Sequence, residues 1–262
     1  MSATRIVFND GVGYERSMAG WSQLAGKVFL DWLAPPPGLR WIDVGCGNGA
    51  FTELLVQRCT PAETVGIDPS AEQLDFARAR PGAAGATFLE GDAMALPFEA
   101  GRFDAATMAL VIFFVPDPAR GVAELARVLR PGGLAAAYAW DFATGGFPFE
   151  PVLAQFRALG VATPEPPNPE AGRTEVLAAL WRDAGFTAVE TRRITVERSF
   201  PDFEAFWASI MASARIRALR DSLAGDLVEA IRVAVRERLR PDASGAVRYS
   251  SHANAVRGRL PG

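Results

Sequence analysis

Apolar and polar residues along the chain change period several times, and each change marks an element. Between residues 10 and 34, Tyr14, Met18, Trp21, Leu24, Val28, Phe29, Leu30, Trp32 and Leu33 recur at roughly helical spacing. Pro35-Pro36-Pro37-Gly38 then stops the run. Short apolar runs and helical patterns follow in alternation: strands at 40–44, 64–67, 86–90, 103–112 and 134–140, helices at 50–58, 70–79 and 117–129. Ser70 stands where the second of these helices needs an N-cap. Such alternation predicts a parallel, doubly wound sheet with right-handed crossovers and a ligand at its carboxyl edge.

After Trp140-Asp141 the pattern loosens. Gly145-Gly146-Phe147-Pro148 and the proline-rich stretch 164–169 are turn-forming and flank a helix at 150–158. A helix at 173–183 ends near Gly185, and Phe186 to Ser199 reads as a sixth strand. Two helices follow, 202–216 and 221–239. In the second, Leu223, Leu227, Ile231, Val235 and Leu239 form one apolar stripe at four-residue intervals. Val247 to Val256 reads as the last strand, so a helical insertion, 200–243, splits the closing strand pair. Its stripe fits either a lid over a bound molecule or a dimer face. The expected organisation is one domain over 1–262: an N-terminal helical cap (1–37), a ligand-binding core (38–141), a variable region with strand six (142–199), the insertion, and the last strand (244–262).

Composition narrows the classes. Nearly half of the 262 residues are hydrophobic and 22% are charged, enough for a sizeable core and unlike a disordered chain. A net charge of −3 argues against a nucleic-acid partner, which needs a clustered basic face. No apolar run reaches the length of a membrane span, and Met1 to Asp10 lacks the apolar region of a signal peptide. Cys46 and Cys59 make no disulfide framework, so a cytoplasmic protein is expected, monomer or homodimer. No run of metal ligands is present.

The most informative stretch is Trp41-Ile42-Asp43-Val44-Gly45-Cys46-Gly47-Asn48-Gly49-Ala50. A strand ends near an acid, glycine occupies every second position, and a helix begins. Glycines let the backbone take positive φ and approach a ligand closely, while the first-turn N–H groups face it. About 20 residues on, Thr64-Val65-Gly66-Ile67-Asp68 is a second strand ending in an acid, the spacing at which nucleotide folds hold ribose hydroxyls. Thr87-Phe88-Leu89-Glu90-Gly91-Asp92-Ala93 ends in a third acid, and Arg130-Pro131-Gly132-Gly133 precedes the fifth strand. Taken singly, each feature has a plain structural reading: a turn for the glycines, a helix cap for Asp68, a solvated loop acid for Asp92. Their order, each at a strand end, is what points to a ligand.

Together these motifs resemble the class I S-adenosylmethionine-dependent methyltransferases, of the kind found in ubiquinone/menaquinone biosynthesis and small-molecule methylation, strongly over 40–140 and loosely elsewhere. The resemblance implies an α/β, Rossmann-like, doubly wound sheet of seven strands, mostly parallel with an antiparallel last strand. Helices cover both faces, with N-terminal helices added and the insertion between strands six and seven. It implies S-adenosylmethionine as cofactor, with Asp43, Gly45, Cys46, Gly47 and Gly49 at its methionyl end, Asp68 on the ribose and Asp92 on the adenine amine. Pro69, Ala93 and Met94 would pack against adenine, and Ala109 and Leu110 would offer carbonyls to the methionyl amine. Tyr14 and Trp21 either line the site or pack ordinary helices.

The implied acceptor is a small, apolar or aromatic molecule, met by Phe113, Phe114, Trp140 and Phe147, with Phe149 nearby. Asp141 is the candidate general base or cation partner; otherwise it is a capping or surface acid. Cys46 fills a variable position without thiol chemistry, and His252, the only histidine, reads as a strand residue. Met108-Ala109-Leu110-Val111 replaces the Asn/Asp-Pro-Pro-Tyr of amino-methylating nucleic-acid enzymes, and Phe113-Phe114 stands where histidine is common. Two other readings remain at this point: a nicotinamide-dependent oxidoreductase, and a non-catalytic domain that binds the nucleoside as a sensor or scaffold.

Overall fold

In the computed structural model, residues 17–163 and 165–262 are described, and Tyr14 lies outside them. Helix α1 (Ala19–Leu33) precedes strand β1 (Arg40–Val44), followed by α2 (Ala50–Cys59), β2 (Glu63–Asp68), α3 (Ala71–Arg78), β3 (Ala86–Glu90), β4 (Phe103–Ala109), α4 (Pro118–Val128) and β5 (Leu129–Trp140). The chain continues through α5 (Glu150–Ala158), α6 (Thr174–Asp183) and β6 (Thr187–Phe200). Then come α7 (Phe203–Met211), α8 (Ala214–Asp221), α9 (Gly225–Arg238) and β7 (Val247–Arg259).

The seven strands form one sheet in the order β3-β2-β1-β4-β5-β7-β6. β1 pairs in parallel with β2 and β4, β2 with β3, and β4 with β5, whereas β7 runs antiparallel to both β5 and β6. Strand order reverses between β1 and β4, which opens a crevice at the carboxyl ends of the parallel strands. The central strands are buried on both faces: Trp41 to Val44 and Ala135 to Trp140 show no exposed position.

The closing strand pair outruns the rest of the sheet. Trp140, the last residue of β5, pairs with Ala253, and Ala253 pairs with Ile194. Residues 195–200 and 247–252 therefore continue as a two-stranded ribbon, about 20 Å long at 3.3 Å per residue, beyond the carboxyl edge. Arg198 and Tyr249 are paired on it, and α1 leans against this ribbon. The Trp21 ring centroid is 5.7 Å from that of Tyr249 and 6.5 Å from that of Phe200.

Several element boundaries moved: the fifth strand starts at Leu129 instead of 134, and the last runs on to Arg259 instead of Val256. The fourth strand was expected to run to Ile112 but ends at Ala109, because Leu110 takes φ +59° and a 3-10 turn, Ile112–Phe114, follows. A continuous apolar run hides such a break. The expected helix 202–216 is two helices, α7 and α8, separated at Ala212-Ser213, and the next helix starts at Gly225 instead of 221. Ser213 and Ser222 stand at these junctions, and serine hydroxyls compete for backbone hydrogen bonds, as Ser222 Oγ does by donating to the Leu219 carbonyl. Of the apolar stripe, Ile231 and Val235 are buried where α9 packs on α5, while Leu227 is exposed.

Candidate functional site

A cavity of about 560 Å³ lies at the carboxyl ends of β1, β2 and β4, in the size range of a nucleoside-bearing ligand. Its floor is the turn between β1 and α2. Gly45, Gly47 and Gly49 have φ of +74°, +51° and +78°, a region that side chains rarely adopt. They serve different ends. A Cβ on Gly45 would lie 2.2 Å from Val111 Cγ2, so this glycine lets the loop pack against the chain leaving β4. A Cβ on Gly47 would meet no atom within 4 Å, so its backbone is open to the cavity.

The loop is tied to the second strand. The N–H groups of Gly45 and Cys46 donate to the Ile67 carbonyl at 2.7 and 3.0 Å. The N–H of Gly47 donates to Asp68 Oδ2 and that of Ser70 to Asp68 Oδ1, each at 2.9 Å. A carboxylate has about four lone-pair positions, so Asp68 keeps acceptor capacity on both oxygens for a ligand. Burial raises its pKa, against the pull of the two N–H groups.

Asp43 is fully buried behind the loop. Thr52 Oγ1 donates to its Oδ2 at 2.7 Å and Thr107 Oγ1 to its Oδ1 at 3.3 Å. Burial pushes its pKa up to about 6, with the two hydroxyls opposing. Asp43 thus fixes the start of α2 and strand β4 from beneath. Burial and the neighbouring Asp43 and Asp68 carboxylates push the Cys46 thiol well up, so it stays a thiol and lines the cavity as a small apolar group.

At the other end, Asp92 is exposed, and its Oδ1 accepts the Met94 N–H at 2.8 Å, shaping the loop after β3. The far wall is apolar. Leu110, the residue with positive φ, projects beside Val111, Phe114, Val115 and Tyr138. Its N–H donates to the Tyr138 carbonyl at 2.8 Å, which holds the strained turn in place. The Tyr138 ring is wedged against Phe29 and Phe51, with centroids 4.6 and 5.7 Å apart.

Of the residues picked from the sequence, Gly45, Cys46, Gly47, Asp68, Pro69, Asp92, Ala93, Ala109, Leu110 and Phe114 line this one cavity. Trp21, Asp43, Gly49, Met94, Phe113, Trp140, Phe147 and Asp141 are not among its described lining. Trp21 is in the aromatic contact with the ribbon, and Trp140 is core. Phe113 packs edge-on to Phe142, which stacks on Phe147. Asp141 is 2% exposed, on the sheet face opposite α1: it accepts Thr144 Oγ1 at 2.7 Å, and Arg193 and His252 lie at 3.4 and 3.6 Å. Burial opposes its ionisation, but hydrogen bonds from Thr144 and Asn254 and the nearby His252 hold its pKa below the usual range. Sequence reasoning missed Ser22 and Gln23 of α1, Glu72 and Tyr138. Tyr138 was legible by parity: it lies two residues before Trp140 on the same strand face.

The charge of the cavity tests what it can hold. Its described lining carries three acids, Asp68, Glu72 and Asp92, and no lysine, arginine or histidine. That set suits a ligand with hydroxyls, an exocyclic amine and positive charge, and offers a pyrophosphate no cationic side chain, only neutral donors such as Ser70, Asn48 and the backbone N–H groups. S-adenosylmethionine, with its ribose diol, adenine amine, sulfonium and ammonium, fits this set of acceptors and carries positive charge that the acids offset, which a dinucleotide pyrophosphate does not.

Comparison with known proteins agrees. A family model described as a methyltransferase domain matches residues 42–137. Malonyl-[acyl-carrier protein] O-methyltransferase of Methylococcus capsulatus is 34% identical over 206 residues, covering 78% of this chain and 70% of that protein. The chloroplastic 2-methyl-6-phytyl-1,4-hydroquinone methyltransferase 2 of Oryza sativa subsp. japonica is 44% identical over 97 residues, 37% of this chain, which spans only 28% of the rice enzyme. Among solved structures, phosphoethanolamine N-methyltransferase 2 of Haemonchus contortus, in complex with S-adenosyl-L-methionine, superposes with a TM-score of 0.58 at 18% identity. That match covers 96% of this chain and 56% of that one, a likeness of fold. Family match, a relative aligned over 78% of the chain and cavity chemistry lead to one conclusion: the chain belongs to the class I S-adenosylmethionine-dependent methyltransferases, enzymes that use S-adenosylmethionine as cofactor.

Proposed function

We propose that the enzyme methylates a small acceptor with an apolar or aromatic body, which enters against Leu110, Phe114 and Tyr138. The observation that carries this reading is the division of the cavity: acids and open backbone on one side, an apolar, ring-lined wall on the other. When bound, S-adenosylmethionine supplies an electrophilic methyl group on a sulfonium centre. Everything else falls to the chain. Asp68 accepts from the ribose hydroxyls with the lone pairs that Gly47 and Ser70 leave free, and Asp92 accepts from the adenine amine. Open backbone at Gly47 meets the methionyl end, while Pro69 and Ala93 pack beside the base.

In-line displacement at a sulfonium disperses charge, so positioning and water exclusion supply most of the acceleration. The strained Leu110 turn and the wedged Tyr138 ring make a stiff wall against which the acceptor is aligned. The insertion 200–243 acts as a lid: Phe206 of α7 packs edge-on to Tyr249, which in turn contacts Trp21, the neighbour of the cavity residues Ser22 and Gln23. Acceptors that lose a proton on methylation do so by their own acidity, releasing it to solvent.

The test is a screen for methyl transfer from labelled S-adenosylmethionine to paired acceptors, phenols and quinols against sugars and polyamines of similar size. Labelling confined to the apolar members supports the reading. Labelling confined to the polar members overturns it.

A further inference from the structure

The half-buried arginines Arg40, Arg80, Arg232 and Arg257 each hold a carboxylate within 3.1 Å. Arg198 does not. Its Cζ lies 5.3 Å from the Trp21 ring centroid and 4.8 Å from that of Phe200, and among the described residues no acid is within ion-pair distance. The ring faces accept its charge, and among the described residues nothing accepts from the directed N–H donors of the guanidinium fork. Partial burial pulls its pKa down, as expected of a cation short of a counterion, yet it stays charged.

Its position is informative. Arg198 is paired with Tyr249 on the ribbon face that α1 covers, the face that also carries Tyr138. A methyl group placed on Gly20 would come within 3.0 Å of the Arg198 Cζ, so the small residue makes room for the guanidinium. Gln23, three residues along the same side of α1 and about 4.5 Å further by helical rise, lines the cavity. The guanidinium thus stands roughly one helical turn from a cavity whose described lining is acidic and holds no cation of its own.

We infer that Arg198 is a specificity-determining residue that receives an anionic group, a carboxylate or a phosphate, carried by the methyl acceptor. This rests on the methyl-transfer reading above. The acids of the cavity hold the cationic cofactor and repel an anion, whereas Arg198, set apart on the ribbon, fixes the acceptor's charged end and leaves its apolar body to reach the Leu110–Tyr138 wall.

Calorimetric titration of the S-adenosylhomocysteine-bound enzyme with matched probes tests this: 4-hydroxybenzoate against 4-hydroxybenzamide, decanoate against decanamide, and phenyl phosphate against phenol. At least one anion is expected to bind ten-fold or more tightly than its neutral partner, and the benzoate and phosphate arms separate the two oxyanions. Arg198→Met, which keeps the apolar stem, should abolish that preference while S-adenosylhomocysteine affinity stays within two-fold. Should Arg198→Met fail to fold, Arg198→Lys serves, since it keeps the charge without the fork and must lower the preference. Equal binding of each anion and its neutral partner by the wild type, including no binding of either, overturns the inference, as does a preference that survives in Arg198→Met. Loss of S-adenosylhomocysteine binding by the wild type would instead strike the methyl-transfer reading.

Discussion

The N–H of Gly47 donates to Oδ2 of Asp68 at 2.9 Å, joining the glycine turn after β1 to the acid that ends β2. One carboxylate therefore both holds the loop and faces the ligand. Asp68→Asn keeps the shape but can accept only through one oxygen, leaving either Gly47 or Ser70 facing an amide N–H₂. A stability loss of about 1 kcal/mol is expected, the low end of the cost of an unpaired donor because both N–H groups are only partly buried, together with weaker cofactor binding. Urea denaturation measures the first and calorimetry the second. Unchanged values for both would show that the link is incidental.

The two glycines of the turn should separate folding from binding. Gly45→Ala sets a methyl group 2.2 Å from Val111 on a backbone with φ +74°. A loss of more than about 2 kcal/mol is expected from overpacking plus the left-handed penalty. Gly47→Ala meets open space and carries only the conformational cost of about 1–2 kcal/mol. Its methyl group narrows the cavity floor, so S-adenosylhomocysteine affinity should fall more than for Gly45→Ala corrected for the folded fraction. The reverse order would contradict the assignment of Gly47 to the ligand side.

Asp43 gives a pH signature. Its folded pKa of about 6 lies above the unfolded value near 3.8, so the folded state is penalised by ionisation. The penalty is absent below pH 4, grows as pH rises through 6 and is complete above it, on the order of 2–3 kcal/mol. Asp43→Asn removes it. The stability of Asp43→Asn relative to wild type should therefore rise between pH 4 and pH 7.5, whatever its value at pH 4. Parallel stability profiles would refute a raised pKa.

Asp141 separates two roles. As an anchor of the 141–146 turn, with Thr144 and His252 around it, it stabilises the fold when ionised; its lowered pKa means that this contribution is present at neutral pH and is lost in acid. Asp141→Asn should cost about 1–2 kcal/mol at pH 7 and leave kcat per folded molecule within about two-fold. A kcat loss of about 10²-fold or more with stability unchanged would make it the general base.

Much of this was legible in the chain. Asp43, Gly45, Asp68 and Asp92 stand out because an acid or a glycine ends an apolar run, and each strand end converges on the crevice where strand order reverses. The lost information is of two kinds. Trp21 looks like a site residue because it lies in the N-terminal segment that the resemblance folds over the cofactor, yet its ring turns towards Tyr249, and only the docking angle of α1 decides that Ser22 and Gln23 face the cavity instead. Arg198 looks like any strand arginine: the ribbon beyond β5 exists only through the pairing of β6 with β7, so its place near the cavity rests on contacts distant in sequence. The break of β4 at Leu110 was hidden for a simpler reason, since the strain that turns the chain is held by Tyr138, 28 residues on.

The most direct test of the central claim is calorimetric titration of the wild type and of Asp68→Ala with S-adenosylmethionine and S-adenosylhomocysteine. Micromolar binding by the wild type, weakened at least ten-fold in Asp68→Ala, about 1.4 kcal/mol, is the expected result. Equal binding by both proteins, or no binding by the folded wild type, would contradict the placement of the cofactor in this cavity.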